Sequence, residues 1–233
     1  MPLLASQIAT LSALSLEAAP VAVAFLAEPP AGVPRIGRSQ PASCSYWKEA
    51  SAGRSFYTTA EDHSNCPVGA FTHGVELSAD KATELQSLIG TMLELKYLKN
   101  EEIALIPHRT TPLRVAAYAP LETAAFAPDV VIFRGNVRQI MLLSEAARAA
   151  GAFDEGTVMG RPACAMLPQA LDAGSGVASV GCIGNRVYTG LDDDEMYLTV
   201  PGASVSDVLD RLVTVLHANA ALEKFHRERA ETL

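Results

Sequence analysis

Apolar residues recur at helical spacing near the start of the chain. Leu4, Ile8, Leu11 and Leu14 predict an amphipathic helix over residues 3–18, ended by Pro20. The unbroken apolar run Val21–Leu26 reads as a buried strand, and the proline-rich stretch 28–34 after it reads as a loop leading to Cys44. A short helix is expected over 43–52, closed by Gly53, then a strand over 55–59 rich in aromatic and β-branched residues. Residues 61–74 read as a loop or a loop-to-helix turn. Ser78 suits an N-cap, with Asp80 in the first turn, and Leu85, Leu88, Ile89, Met92 and Leu95 mark the expected buried stripe of the helix that follows. Strands are expected at 113–118 and 129–133, and Gly135-Asn136 opens a helix over 137–150. A last strand at 196–200 precedes a helix whose buried face is Val205, Val208, Leu209, Leu212 and Leu216, with a polar helical tail from Asn219 onwards.

Strands and helices alternate without segregation. This predicts an α/β or α+β class: one compact domain over residues 1–233, a mixed sheet with flanking helices. Its halves, about 1–110 and 111–233, share an order of apolar strand, helix or loop, then a Cys-bearing turn.

The chain has 233 residues, 49% of them hydrophobic, enough for one sizeable core. Aromatics are only 6%, so that core is expected to be built of Ala, Val, Leu and Ile. Charged residues stand at 19%, under the usual share of roughly 25%, which points to a homo-oligomer interface, a homodimer being the simplest case. The net charge is −8, and the densest basic group, Lys224, Arg227 and Arg229, is interleaved with Glu223, Glu228 and Glu231. That pattern describes a solvated helix, not a phosphate-binding stripe, and argues against nucleic acid as a partner. No apolar run reaches the roughly 20 residues that span a bilayer, which argues against a membrane partner. The apolar N-terminus lacks a basic region and carries Glu17, so it is read as mature protein with a cytoplasmic address, where cysteines stay reduced.

The candidate chemistry lies in four cysteines, Cys44, Cys66, Cys164 and Cys182, separated by 22, 98 and 18 positions. No Cys-x-x-Cys occurs, so zinc-ribbon, ferredoxin-type, thioredoxin and haem c patterns are absent. Gly, Pro or Ala accompanies the cysteines, as in Asn65-Cys66-Pro67, Pro162-Ala163-Cys164 and Gly181-Cys182-Ile183-Gly184. Turns of that kind let a sulfur face a cavity and aim backbone N–H groups at it. The leading expectation is a [4Fe–4S] cluster on all four cysteines, for electron transfer with a redox partner, redox sensing or activation of a small substrate. Zinc is an alternative, and so is no metal, since free cysteine also serves as a small core hydrophobe. Around the sulfurs, His63, Asn65, His73, Trp47, Gly184, Asn185 and Arg186 are the residues expected to support them or to hold a ligand. A second reading makes the chain a non-enzymatic module binding a small anion or metabolite near Arg186, Trp47 and His63. A third makes Cys66 a catalytic nucleophile with His63 or His73 as base. The cluster Asp192–Glu195 has the composition to hold a hard cation, but reads better as a solvated hairpin turn. Gly135-Asn136 after a strand lacks the rest of a dinucleotide fingerprint.

The segment 20–34, Cys44, Asn65-Cys66-Pro67-Val68-Gly69-Ala70, Asp129–Phe133 with Gln139–Leu143, and Cys164 occur in an order that resembles the bacterial and archaeal family catalogued as domain of unknown function 169. The resemblance runs over nearly the whole chain. It implies a single-domain prokaryotic cytoplasmic protein with recurrent cysteines at Cys44, Cys66 and Cys164. It implies no activity, and the segment around Cys182 looks like a subgroup feature.

Overall fold

The computed structural model describes residues 3–231. In chain order the elements are α1 (Ala5–Ala13), β1 (Val21–Leu26), α2 (Ser45–Ser51), β2 (Phe56–Thr59), α3 (Ala60–His63), α4 (Pro67–His73), α5 (Ala79–Glu94), α6 (Asn100–Ile103), β3 (Val115–Pro120), β4 (Val130–Asn136), α7 (Val137–Ala149), β5 (Phe153–Met159), α8 (Met166–Ala173), β6 (Gly176–Ser179), α9 (Ile183–Thr189), β7 (Glu195–Pro201) and α10 (Val205–Glu231). Short 3₁₀ turns occupy Leu121–Thr123, Ala163–Ala165 and Gly202–Ser204. The strands form one mixed seven-stranded sheet in the order β2-β3-β1-β4-β7-β6-β5. Every neighbouring pair is antiparallel except β5 with β6. β1 lies between β3 and β4, so the sheet draws on both ends of the chain at its centre.

Both faces of this sheet are covered, which explains why its strands read as continuous apolar runs. Alternate residues serve opposite cores. Ala22, Ala24, Val131, Phe133, Leu198 and Val200 face a core completed by α1, α7 and α10, including Leu11, Leu143, Leu209 and Leu212. Val21, Val23, Val130, Ile132 and Tyr197 face a second core with Tyr46, Trp47, Met166, Leu167, Cys44 and Cys164. Cys44, Cys164 and the partly buried Cys66 therefore belong to one side of the sheet, the side of α2, α4 and α8.

Helix α1 ends sooner than its periodicity predicts. Ser15 has φ 53, in the left-handed region, and Gln139 Nε2 donates to the carbonyls of Leu14 and Ser15 at 3.0 Å each. The same Gln139 completes a capping box with Asn136 at the start of α7, so Gly135-Asn136 is a helix cap. Gln7 fastens the other side of α1, donating to Ser206 Oγ at 2.7 Å and Asp210 Oδ1 at 3.0 Å in α10. The expected buried stripe of α5 is corrected. No residue of α5 is buried; the helix lies against α4 rather than on the sheet, and Leu88 and Leu95 are 45% and 73% exposed. Among the described residues no helix is long and apolar enough to cross a membrane.

Candidate functional site: four cysteines at helix entrances

The Gly- and Pro-rich turns place each cysteine where the chain enters a helix. Cys44, Cys66 and Cys182 are the N-cap residues of α2, α4 and α9, and Cys164 lies in the 3₁₀ turn that runs into α8. Pro67 opens α4 at a position where its missing N–H costs nothing. A cis Arg161–Pro162 peptide precedes Cys164, and Gly181, with φ 72, precedes Cys182. Cys44 and Cys164 are buried, Cys66 and Cys182 half-buried, and all four are free thiols.

The four sulfurs share one neighbourhood. Burial pushes the Cys44 thiol up to about 12, and the thiols of Cys66 and Cys182 add to that effect. Burial likewise raises the Cys164 thiol well above its ordinary value, with further repulsion from Cys66, Cys44 and Cys182. As free thiols, Cys44 and Cys164 are thus protonated at neutral pH. Two neighbouring groups favour their thiolates: the Asn185 amide beside Cys44 and the Thr72 hydroxyl beside Cys164. The Gly69 N–H donates to Cys66 Sγ at 3.3 Å. Among the described residues, no three Cys, His, Asp or Glu side chains converge closely enough to hold a metal ion. The sulfurs are near enough to feel one another's charge, but they are not drawn onto a single point.

Gly69 holds the first two cysteine turns together. A Cβ at this position would lie 2.6 Å from Ser43 Cβ and 3.1 Å from Cys66 Sγ, and its carbonyl accepts from His73 Nδ1 at 2.8 Å and Thr72 Oγ1 at 3.0 Å. Gly69→Ala is expected to lower unfolding free energy by about 1–3 kcal/mol in urea titrations, because the turn carrying Ser43 and Cys44 must move away.

Neither candidate histidine hydrogen-bonds Cys66. His63 is fully buried between Thr58 Oγ1 and Ser43 Oγ, each 2.9 Å from a ring nitrogen. Thr58 gives its proton to the Ala116 carbonyl, so Nε2–H of His63 donates to Thr58 and Nδ1 accepts from Ser43. His73 donates Nδ1–H to the Gly69 carbonyl, which leaves Nε2 as a bare, buried acceptor. The two rings stack at 4.9 Å. Burial pushes His63 well below its ordinary value and lowers His73 to about 4, so both are neutral imidazoles at pH 7. These residues build the wall behind Cys44 and Cys66. The arrangement gives no support to a Cys66 nucleophile with a histidine base.

The other expected supporting residues divide. Trp47 is buried in the first turn of α2, edge-on to Tyr197 at 5.7 Å, and its Nε1 has no partner. Asn185 is 2% exposed, and neither amide atom completes a hydrogen bond. Gly184 is half-buried in the first turn of α9, beside Asn185. Asn65 is exposed and donates to Ser39 Oγ, away from the sulfurs. Arg186 spends its guanidinium on the carbonyls of Val180 and Asp192, both at 2.7 Å, and of Glu195 at 3.3 Å. It presents no free fork to an anion. In the acidic cluster, Glu195 accepts from Arg134 and from the Asp192 N–H, while Asp193 is fully exposed, as a solvated turn requires.

Ser43, Thr58 and Arg134 carried no signal in the sequence, since isolated Ser and Thr are common and Arg134 falls just past the predicted end of its strand, while Gly69 stood out only as part of the Asn65–Ala70 motif.

No curated protein and no solved structure matches the chain. The family profile of DUF169, described as uncharacterised ArCR, matches residues 11–211. That span covers all seven strands and all four cysteines. The chain belongs to the DUF169 family.

Proposed function

We propose that Cys44, Cys66, Cys164 and Cys182 hold a [4Fe–4S] cluster, making this an iron–sulfur protein of electron transfer, redox sensing or small-substrate activation. The observation that carries the reading is four thiols from four separate helix entrances brought within electrostatic reach of one another.

The surroundings suit such a group. Ser45 Oγ, Trp47 Nε1 and both Asn185 amide atoms are buried without partners, on the first turns that follow Cys44 and Cys182. Unsatisfied buried polar atoms of this sort often mark a missing ion or group. A single zinc would need its sulfurs roughly 3.8 Å apart, given Zn–S bonds of about 2.3 Å in a tetrahedron. Thiolates that each bind a different iron stand farther apart than four thiolates on one zinc. When bound, the cluster supplies one-electron chemistry. The chain supplies a dry setting through Tyr46, Trp47 and Met166, and an N–H donor to Cys66 from Gly69.

Anaerobic purification and reconstitution with iron and sulfide should yield about four irons and four sulfides per chain, with visible absorption that bleaches on reduction. Serine at any of the four positions should lower the iron content. A colourless chain without iron, or one that retains zinc alone, overturns the proposal.

A further inference from the structure

We propose that the outer end of α10 is a dimerisation surface, on which a second copy of this chain lays the same stretch of helix across a two-fold axis. It lies on the opposite side of the sheet from Cys44 and Cys164 and holds with or without a cluster.

Helix α10 runs out past the body that supports it. Its buried residues, Val205, Val208, Leu209 and Leu212, all lie in its first third. Farther along it runs antiparallel to α7: Asn219 donates to Glu145 at 2.8 Å, then Glu223 accepts from Arg138 at 2.9 Å. α7 begins at Val137, so the chain beyond Glu223 has none of α7 left to lie on. Every residue from 224 to 231 is exposed. That is about 12 Å of helix at about 1.5 Å per residue, two turns that are marginal in water when nothing packs on them.

An apolar seam follows the helix into this unsupported end. Val215, Ala218, Leu222 and Phe225 are spaced by three, four and three residues, the spacing that keeps one flank facing a partner helix. Val215 still packs on the core. Ala218 is exposed, and Leu222 and Phe225 are 54% and 55% exposed. Val137 and Met141, the exposed large apolar residues of α7, stand one turn apart beside Arg138 and widen the patch.

The charges around the seam favour a second copy as its cover. The chain carries −8 overall and so repels its own kind. From 223 to 231 the balance is even, with Lys224, Arg227 and Arg229 against Glu223, Glu228 and Glu231. These charges are met within the chain: Arg227 and Arg138 reach Glu223 at 2.6 and 2.9 Å, and Lys224 reaches Glu228 at 3.8 Å. Covering the flank therefore strands none of these ion pairs. By contrast, the exposed Val180, Ile183 and Val187 around α9 stand beside the exposed run Asp192–Asp194, where two copies would bring like charge together. An apolar flank on a single helix is also its own complement. Under a two-fold axis, two antiparallel helices set Leu222 of one copy against Phe225 of the other, and both overhanging ends gain a helix to lie on.

Sedimentation equilibrium of the full chain, from about 1 to 100 µM, should reach twice the 24.6 kDa chain mass at the upper end. Leu222→Glu combined with Phe225→Glu should weaken association at least about a hundredfold and leave a monomer. Ile183→Glu, on the α9 patch, should leave the mass unchanged. Hydrogen exchange at residues 224–231 should slow with concentration in wild type and not in the double variant. If the double variant does not fold, Phe225→Ala alone carries the test, with association weakened about tenfold. A wild type that stays monomeric gives the flank to some other partner and overturns the proposal. A dimer that survives the double variant, or whose exchange at 224–231 ignores concentration, also overturns it, and loss of that dimer in Ile183→Glu would place the second copy on α9.

Discussion

Between pH 7 and pH 5 the protein is expected to lose about 2 kcal/mol of unfolding free energy for each of its two buried histidines. His63 and His73 are neutral in the folded state, pushed down by burial, His73 to about 4 from an ordinary 6.5 and His63 well below that same value. In the unfolded chain both take up a proton as the pH falls through 6.5. The unfolded state then binds more protons than the native one, so stability is full above about 6.5 and declines as the pH drops. The slope approaches about 1.4 kcal/mol per pH unit for each histidine. Carboxylates act in the same direction but lower on the scale. Burial alone would raise Glu49 and Glu195, yet their arginine partners hold both below the ordinary 4.5. The window from pH 6.5 to 5 therefore isolates the histidines. Urea titrations at pH 7 and pH 5 measure the loss, and His73→Gln, which keeps a donor for the Gly69 carbonyl, should show roughly half of it. Equal losses in the two proteins would place the acid sensitivity elsewhere.

The histidines also show where the sequence ran short. Their neighbourhood with Cys66 was visible as spacing, but their chemistry depends on Thr58 and Ser43, which come from a strand and a turn that only the fold brings together. The strands at the sheet centre were legible because they are long apolar runs, and β1 has the bounds the pattern gives it. The region from β5 to α9 was not, because its elements are short: four residues in β6 and seven in α9 show no period to read. The stripe of α5 was legible and misleading. Its spacing is helical, but it lies against another helix at the edge of the fold, and periodicity does not say how deeply a face is covered. The placing of cysteines in Gly- and Pro-rich turns was readable residue by residue. That those turns are four helix entrances in one neighbourhood followed from the topology, which spacings of 22, 98 and 18 do not encode.

Arg134→Met is expected to cost about 3 kcal/mol, the lower end of the range for stranding a buried charge. Glu195 is 7% exposed and accepts from Arg134 Nε at 2.9 Å and from the Asp192 N–H at 2.9 Å. Without the guanidinium that carboxylate keeps one backbone donor and no paired cation, only the field of the neighbouring Arg186. Arg134 stands near the C-terminal end of β4 and is 20% exposed, which limits the loss. Its second consequence concerns the candidate site. Arg134 also donates to the carbonyls of Thr189 and Gly190 at the end of α9, and so ties that helix to β4 and β7. Cys182 caps the other end of that helix, and Asn185 lies in its first turn. Removing Arg134 should therefore speed hydrogen exchange through α9 ahead of global unfolding and, if the cluster is present, lower iron retention without touching a ligand. Replacing both partners by methionine should recover most of the global stability, because no buried charge is left alone, but not the protection of α9, because the two carbonyls still lack their donor. A double variant with α9 fully protected would show that the helix is held by Arg186 and its carbonyl contacts instead.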